Sequence, residues 1–468
     1  MDKIIDAIAR VLMPQLTGVH LNPVENVGYY ISNIVGLLVL IFYSYQFFYV
    51  FLAFIRKPRK YPETDQTKRY GVIIAARNEE KVLPELLKSI AAQTYPADRV
   101  DVFVIADNCD DRTADVAREM GAIVFERHSK AQVGKGYALR FLFNRMKAQG
   151  ILRDYDAYMV FDADNILKAN YIEEMDKAYC AGNKVLTSFR NSKNFGKNWV
   201  SSGYALWFMR ESTHLNNPRS ILGTSSFISG TGFLVDSEII ERNGGWKHFL
   251  LTEDIEFTAD CILHGDRVGY CHRAEFFDEQ PESFRQSWWQ RKRWAKGLFQ
   301  VFRHYGTGLL KGVFKLDWSC FDMTMNIMPA FILSAVQFLS IAVLLILNLI
   351  IYHAFSTTLV ICLVQFLLFG YMLFFILGLL IFIAEFKRIR CNKFRATLLL
   401  FTFPLFMLTY IPVSFSAFLS RGVTWKPVEH NRAMSIEEVA GEADHEGGEP
   451  ATASVAEDDS RATEDQQR

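Results

Sequence analysis

The sequence predicts an α/β domain with an open, largely parallel sheet, held between membrane-spanning helices, one before it and about three after it. Apolar runs of bilayer length stand at 29–55 and again at 327–352, 355–384 and 396–419. Between 67 and 305, short apolar runs alternate with longer stretches of helical periodicity, the pattern of strands joined by crossover helices. The polar clusters of that region fall at the carboxyl ends of the expected strands, where open α/β sheets hold ligands.

A chain of 468 residues, 50% of them hydrophobic, accommodates one large domain and a membrane part. Its 51 basic and 51 acidic residues cancel, and no nucleic-acid partner is expected. Within residues 1–28, Ile4, Ile5, Ile8, Val11 and Leu12 recur at helical intervals among charges, as in an amphipathic helix at an interface or a plain leader. The run 29–55 exceeds a signal-peptide core and ends on Arg56-Lys57-Pro58-Arg59-Lys60, so it reads as a transmembrane helix whose C-terminal end is cytoplasmic. In the domain, 67–305, strands are expected over 70–75, 100–106, 123–126 and 157–161, with helices over 81–93 and 113–119.

An interfacial helix is expected over 306–326, followed by the spans within 327–420. The basic loop 385–395 belongs on the cytoplasmic side with the domain by the positive-inside rule. Arg421, Lys426 and Arg432 ask for the same side after the last span, which leaves the side of the C-terminus open. Pro404 and Pro412 allow that last run to kink or re-enter. In the C-terminal segment 421–468, the stretch from Glu437 onward is acidic and lacks aromatics, the composition of a disordered tail. Seven cysteines without a CxxC pair argue against a disulfide framework and a structural zinc, and for reduced thiols.

Several clusters carry chemistry. Phe161-Asp162-Ala163-Asp164 ends an apolar strand with two carboxylates, hard oxygen ligands for magnesium or manganese, although an Asp pair also caps turns. Asp107 follows another strand, where a carboxylate accepts hydrogen bonds from a base or ribose; Arg77-Asn78-Glu79-Glu80 follows a third. Gly134-Lys135-Gly136 opens a helix and suits a phosphate or a surface turn. Thr252-Glu253-Asp254 precedes a helical run, where acids complement the helix dipole and where Asp254 suits a general base; for Glu256 the capping role weighs heavily. The small residues of Ser229-Gly230-Thr231-Gly232 would let a sugar lie close to the backbone. Gln290-Arg291-Lys292-Arg293-Trp294 joins guanidinium groups suited to a diphosphate with an indole face suited to a sugar ring, and it equally suits a basic collar at lipid headgroups.

In this order the motifs resemble those of the membrane-bound family 2 glycosyltransferases, which include cellulose, chitin, hyaluronan and curdlan synthases, over roughly 70–294. Asp162-Ala163-Asp164 matches their Asp-x-Asp, Thr252-Glu253-Asp254 their Thr-Glu-Asp, and Gln290, Arg293 and Trp294 their Gln-x-x-Arg-Trp. The resemblance implies a Rossmann-like GT-A fold, a UDP-sugar donor, Mg²⁺ or Mn²⁺, and inversion at the anomeric carbon. It places Ala75, Arg77, Asn78, Glu79 and Asp107 around the nucleotide, with Asp107 on uridine, and Lys135, Asp162 and Gln290 in donor binding. Asp164 would hold the metal, Asp254 with Glu253 beside it would supply the base, Arg293 the diphosphate contact and Trp294 the acceptor contact. The Thr-Glu-Asp form is similar to the cellulose and curdlan side, which favours glucose. The chain departs from many relatives in Arg112 for Gly and Ala75 for Pro.

The leading expectation is a polysaccharide synthase that extends a glycan on the cytoplasmic face, as in capsule formation, and passes it through its own spans. Gln46, Gln337, Asn348 and Gln365 are candidates to line that path, or else helix-packing residues. The alternative is transfer of one sugar to a lipid, polyprenyl phosphate or diacylglycerol, with Trp288-Trp289 at the lipid. A third possibility, a channel or scaffold with a dead transferase domain, has the intact acids against it.

Overall fold

A computed structural model describes residues 21–422 and residue 438. The expected amphipathic stretch before residue 21 and the acidic tail lie outside the described residues, residue 438 apart. Helix α1 (Pro23–Ile55) begins upstream of the apolar run because Asn22 caps it. Asn22 Oδ1 accepts from Glu25 N at 2.9 Å, Glu25 Oε2 accepts from Asn22 N at 3.1 Å, and Pro23 occupies the first turn.

Strands β1 (Tyr70–Ala76), β2 (Val100–Asp107), β3 (Ile123–Arg127) and β4 (Ala157–Asp162) pair in parallel, and their crossovers carry α2 (Leu83–Ala91), α3 (Thr113–Glu119) and α4 (Lys135–Ala148). After β5 (Ile166–Leu167) and α5 (Tyr171–Cys180) come β6 (Val185–Ser192), α6 (Trp199–Arg210) and α7 (Asn217–Leu222). The domain continues with β7 (Phe233–Asp236), α8 (Ser237–Arg242), α9 (Glu253–His264) and β8 (Val268–Asp278). The sheet runs β3-β2-β1-β4-β7-β6-β8-β5. It is mixed rather than parallel throughout, since β7 opposes β4 and β6, and β5 opposes β8.

Alternation along β1 divides the core between two faces of the sheet. Val72 and Ile74 pack with Leu83, Leu86 and Met175 of α2 and α5, whereas Ile73 packs with Leu139, Leu142 and Phe143 of α4. All seven cysteines are free.

Beyond the sheet, α10 (Phe284–Phe314) is followed by α11 (Trp318–Ile327), α12 (Pro329–Tyr352), α13 (Thr357–Ala384), α14 (Lys393–Leu400), α15 (Phe403–Leu408) and α16 (Tyr410–Leu419). The stretch expected as one interfacial helix over 306–326 comprises the end of α10 and α11, parted by a turn at Leu316 (φ 63°). Met323 and Ile327 of α11 pack under the domain against Phe227, Ala259 and Val301. Among the described residues, three helices are long and apolar enough to cross a membrane, and up to four if Lys393–Leu400 and Phe403–Leu419, bent by 41°, form one span. Pro404 stands in the first turn after that bend, where a proline is tolerated.

Two joints fix these helices to the domain. Fully buried Arg219 of α7 grips Asp322 of α11 with Nε and Nη2 at 2.8 and 2.9 Å, and Asp322 also accepts from the hydroxyls of Tyr45 and Tyr49 of α1, each at 2.9 Å. The second joint is the loop after α13: Arg390 stands 4.3 Å over the Phe277 ring, and Arg395 Nη2 donates to Lys197 O at 2.9 Å.

Candidate active site

The loops after β1 and β2 brace one another. Asn78, held at φ 57°, accepts from Asp110 N at 2.8 Å, and Glu79 N donates to Thr113 Oγ1 at 2.8 Å. Ala75 lies in register with Asp162 on one side and Ile105 on the other, which brings this loop beside the Asp-x-Asp turn. Asp107 is not a bare carboxylate: Arg127, its register partner on β3, pairs with its Oδ1 inside the fold. Burial pushes the Asp107 carboxyl up, and Arg127 and Arg77 oppose that rise. Arg127 was missed from sequence, because only the β2–β3 register reveals it.

The acidic turn is equally built. Lys135, first residue of α4, donates to Asp162 Oδ1 at 2.5 Å and to Gly230 O at 2.9 Å, so its ammonium joins the Asp-x-Asp turn to the glycine loop. Gly136 beside it permits a close approach, since a Cβ there would stand 2.2 Å from His248 O. Asp164 Oδ2 accepts from Glu279 N at 3.0 Å, and Asp162 N donates to Thr231 Oγ1 at 2.9 Å. Nearby, Arg190 Nε donates to Asp278 Oδ2 at 2.6 Å and Arg190 Nη1 to Ser229 O at 2.9 Å. Burial lifts the Asp278 carboxyl to about 6 against the pull of Arg190, with Asp164 and Asp162 adding to the rise. Arg190 and Asp278 carry no motif and were missed.

Asp162, Asp164 and Asp278 are hard oxygen donors with no soft ligand among them. Among the described residues no group of three or more His, Cys, Asp or Glu is arranged to hold a metal ion. A divalent cation here would therefore rest on one or two carboxylates and on donor phosphates, not on a cage of protein ligands.

Glu253 and Asp254 open α9, and α10 holds the loop that precedes them. Arg293 Nη1 donates to Leu251 O at 3.0 Å and Gln300 Oε1 accepts from Leu251 N at 3.2 Å. Glu256 braces the preceding loop instead of capping the helix: one carboxylate oxygen accepts from Phe249 N and Leu250 N at 2.7 and 2.8 Å. Asp254 faces the glycine loop, with Oδ2 4.0 Å from where a Gly230 Cβ would stand. Burial raises both the Glu253 and Asp254 carboxyls, while Lys135 and Arg293 counter it.

The basic cluster divides. Trp294 sets its ring against Tyr204 and Phe208, with centroids at 5.7 and 6.1 Å. Arg291 is no headgroup collar: it is fully buried, donating to Thr409 Oγ1 at 2.7 Å and stacking over Phe406 and Tyr410. Gln290 Oε1 is buried without a hydrogen-bond partner, and Lys292 stands over Trp289 at 5.4 Å.

Asp254, Thr252 and Trp294 line a cavity of about 420 Å³ that extends between α1, α13 and α16. Arg210 and Glu211 line it too, where α6 gives way to a π-helical turn over Glu211–Asn216. Glu211 takes a hydrogen bond from Ser229, and burial lifts its carboxyl to about 7, Asp254 adding to the rise. The cavity thus unites Asp254 and Trp294, while Asp107 and Arg77 to Glu79 stand outside its lining with the bracing loops.

Residues 68–297 match the model described as glycosyltransferase like family 2. Among curated relatives, the β-monoglucosyldiacylglycerol synthase of Nostoc sp. is 27% identical over 290 residues, 58% of this chain and 59% of the relative. The poly-β-1,6-N-acetyl-D-glucosamine synthase of Staphylococcus epidermidis is 23% identical over 241 residues, 51% and 57% of the two chains. The matches thus span somewhat over half the length of these two curated relatives. A mannosyltransferase of Pyrobaculum calidifontis, solved with GDP-mannose and Mn²⁺, superposes with a TM-score of 0.52 at 15% identity, over 84% of this chain and 100% of that one, a likeness of fold. Residues 68–297 are therefore a family 2 glycosyltransferase domain of Rossmann-type GT-A fold, joined to helices apolar enough to span a membrane.

Proposed function

We propose that this chain is a multi-pass protein of the cell membrane that transfers one sugar, glucose by preference, from a UDP donor to a lipid hydroxyl on the cytoplasmic face, with inversion. The observation that carries this reading is the wall of the cavity at Asp254: Val39, Phe47, Phe369, Leu373, Leu377 and Phe415 are apolar and belong to the membrane helices. A lipid tail is at home against such a wall, whereas a hydrated glycan would lose hydrogen bonds there. The docking of the basic loop 385–395 on the domain supports a cytoplasmic domain.

In this reading Ala75, Arg77, Asn78, Glu79 and Asp107 frame the nucleoside, and Asp162, Lys135, Gln290 and Arg293 frame the diphosphate. The acceptor oxygen bonds to C1 from the face opposite UDP. The bond from C1 to the diphosphate oxygen breaks with its electron pair, and the hydroxyl proton passes to Asp254. Burial suits Asp254 to this task, because a raised carboxyl pKa makes the ionised form a stronger base. Glu253 beside it keeps that environment acidic. A divalent cation at Asp164, when bound, supplies charge neutralisation for the departing diphosphate. The name of the Nostoc relative, a glucosyldiacylglycerol synthase, agrees with a glucosyl donor and a lipid acceptor.

A second reading, polymer extension, is favoured by Trp294 at the cavity and by the poly-N-acetylglucosamine synthase relative. Its proposed path is weakened by the polar span residues: Gln337 donates to Ser32 at 2.9 Å, and Asn348 bonds Asn22 and Ala354 O. Radiolabelled UDP-glucose supplied to the protein in liposomes separates the readings by whether label enters lipid or polymer.

A further inference from the structure

We propose that Glu211 holds a second hydroxyl of the acceptor while Asp254 takes the reacting one, so that the lipid accepted is one whose head carries two neighbouring hydroxyls, as a free glycerol end does. The inference rests on the reading of the cavity as the acceptor site, and it gives a role to a carboxylate that the transfer step leaves unused. Glu211 and Asp254 reach the cavity from different elements, the π-helical turn after α6 and the start of α9, and both line it. The Ser229-Gly230 loop links them: Ser229 donates to Glu211 Oε1, and Asp254 Oδ2 comes within 4.0 Å of where a Gly230 Cβ would stand.

The bond from Ser229 uses one oxygen of the carboxylate. Among the described residues no hydrogen bond or ion pair engages Glu211 Oε2. Burial lifts the Glu211 carboxyl, Arg219, Arg190 and Arg210 oppose that rise from beyond ion-pair distance, and Asp254 adds to it. Those guanidinium groups make their own bonds elsewhere, to Asp322, Asp278 and Gln46 respectively. Positive charge is thus already supplied around Glu211, while the lone pairs of Oε2 stay free to accept a hydrogen bond. What that oxygen calls for is a hydroxyl, not a cation.

Glu211 belongs to the acceptor side. Asp107, Lys135, Asp162 and Asp164 stand outside the cavity lining, whereas Gln46 of α1 and Trp207 of α6 share it with Glu211. Glu211 also borders a recess with Arg190 and Thr231, but that recess holds only about 10 Å³, the room of a single water. A ligand group therefore reaches Glu211 from the large cavity. An apolar chain that fills this cavity takes water from Glu211 and Asp254 together. A head with one hydroxyl satisfies Asp254 and strands Glu211, while a head with two serves both. A site built around a hydroxyl rejects the analogue that lacks it more sharply than an apolar pocket rejects a missing methylene.

The test uses full-length protein in phosphatidylcholine liposomes with radiolabelled UDP-glucose and Mg²⁺ or Mn²⁺. Acceptors are offered separately in two pairs, each a diol and a lipid with one hydroxyl: octadecylglycerol with its 2-methyl ether, and dioleoylphosphatidylglycerol with dioleoylglycerol. In at least one pair the diol is expected to show a kcat/KM about 10-fold or more above its partner, and the pair that does so tells whether the glycerol end sits on a phosphodiester or directly on the chain. Glu211→Ala is expected to lose most of that ratio and Glu211→Gln to recover part of it, with UDP affinity by calorimetry as in the wild type. No label in either diol, equal kcat/KM within both pairs, or an undiminished ratio in Glu211→Ala overturns the proposal while leaving lipid transfer standing. Weaker UDP-glucose binding in Glu211→Gln with the ratio kept assigns Glu211 to the donor and overturns it too. Label found only in polymer overturns the underlying reading as well. If neither variant folds, the wild-type acceptor comparison decides alone.

Discussion

Gly297 of α10 lies flat against Thr252, the first residue of Thr-Glu-Asp: a Cβ on Gly297 would stand 2.5 Å from both Cγ2 and Oγ1 of Thr252. With Arg293 and Gln300 one turn to either side on Leu251, the long helix sets the position of the proposed base. Gly297→Ala must push this segment away, since the added methyl would overlap the buried Thr252 side chain. It is expected to lower kcat by about 10-fold or more, as small misplacements of a reacting group do, while UDP affinity measured by calorimetry changes little.

The two acidic motifs are expected to fail differently. Asp164→Ala abolishes metal-dependent UDP binding, whereas Asp254→Asn keeps that binding and loses about 10²–10⁴-fold in turnover. Equilibrium binding and single-turnover rates on both variants check this. Loss of donor binding in both contradicts the separation of roles.

Glu211 makes stability pH-dependent in a known direction. Its carboxyl is raised to about 7 in the fold from an ordinary 4.5, so the folded protein binds a proton that the unfolded chain has released between those values. Stability from this group is therefore full below about pH 4.5 and falls as pH rises toward 7. Glu211→Gln, which retains an oxygen for Ser229, is expected to raise the melting temperature at pH 8 relative to wild type and to leave it unchanged near pH 4.5.

The joint at Asp322 is a buried charge pair whose halves belong to different parts of the chain. Asp322→Ala strands Arg219 in the fold and is expected to cost about 3–5 kcal/mol, seen as a lower midpoint in thermal unfolding. Asp322→Leu combined with Arg219→Met is expected to recover much of that loss.

Contiguous motifs stand out as candidates because their residues lie within a few positions of one another. Asp162 with Asp164, Glu253 with Asp254, and Arg293 with Trp294 announce themselves as short runs after strands or on a helix. Charges whose meaning lies in a distant partner do not. Arg190 and Asp278 stand 88 residues apart and Arg219 and Asp322 103 apart, and only the folded chain pairs them. Arg291 read as part of a surface collar because adjacency to Lys292 says nothing about which helix face is buried. The antiparallel β7 went unforeseen for a similar reason: Phe233 to Val235 are apolar in any pairing, and direction is set by the partners β4 and β6. Pro404 did signal the broken last run, through its missing N–H.

The central claim is that the apolar cavity at Asp254 receives a lipid. The most direct measurement supplies radiolabelled UDP-glucose and Mg²⁺ or Mn²⁺ to the purified protein in liposomes of membrane lipid, then partitions the products between chloroform–methanol and an insoluble residue. Label in the organic phase on a lipid carrying one sugar is the predicted result, absent with Asp254→Asn. Label in high-molecular-weight glycan, with none in the lipid fraction, would contradict it.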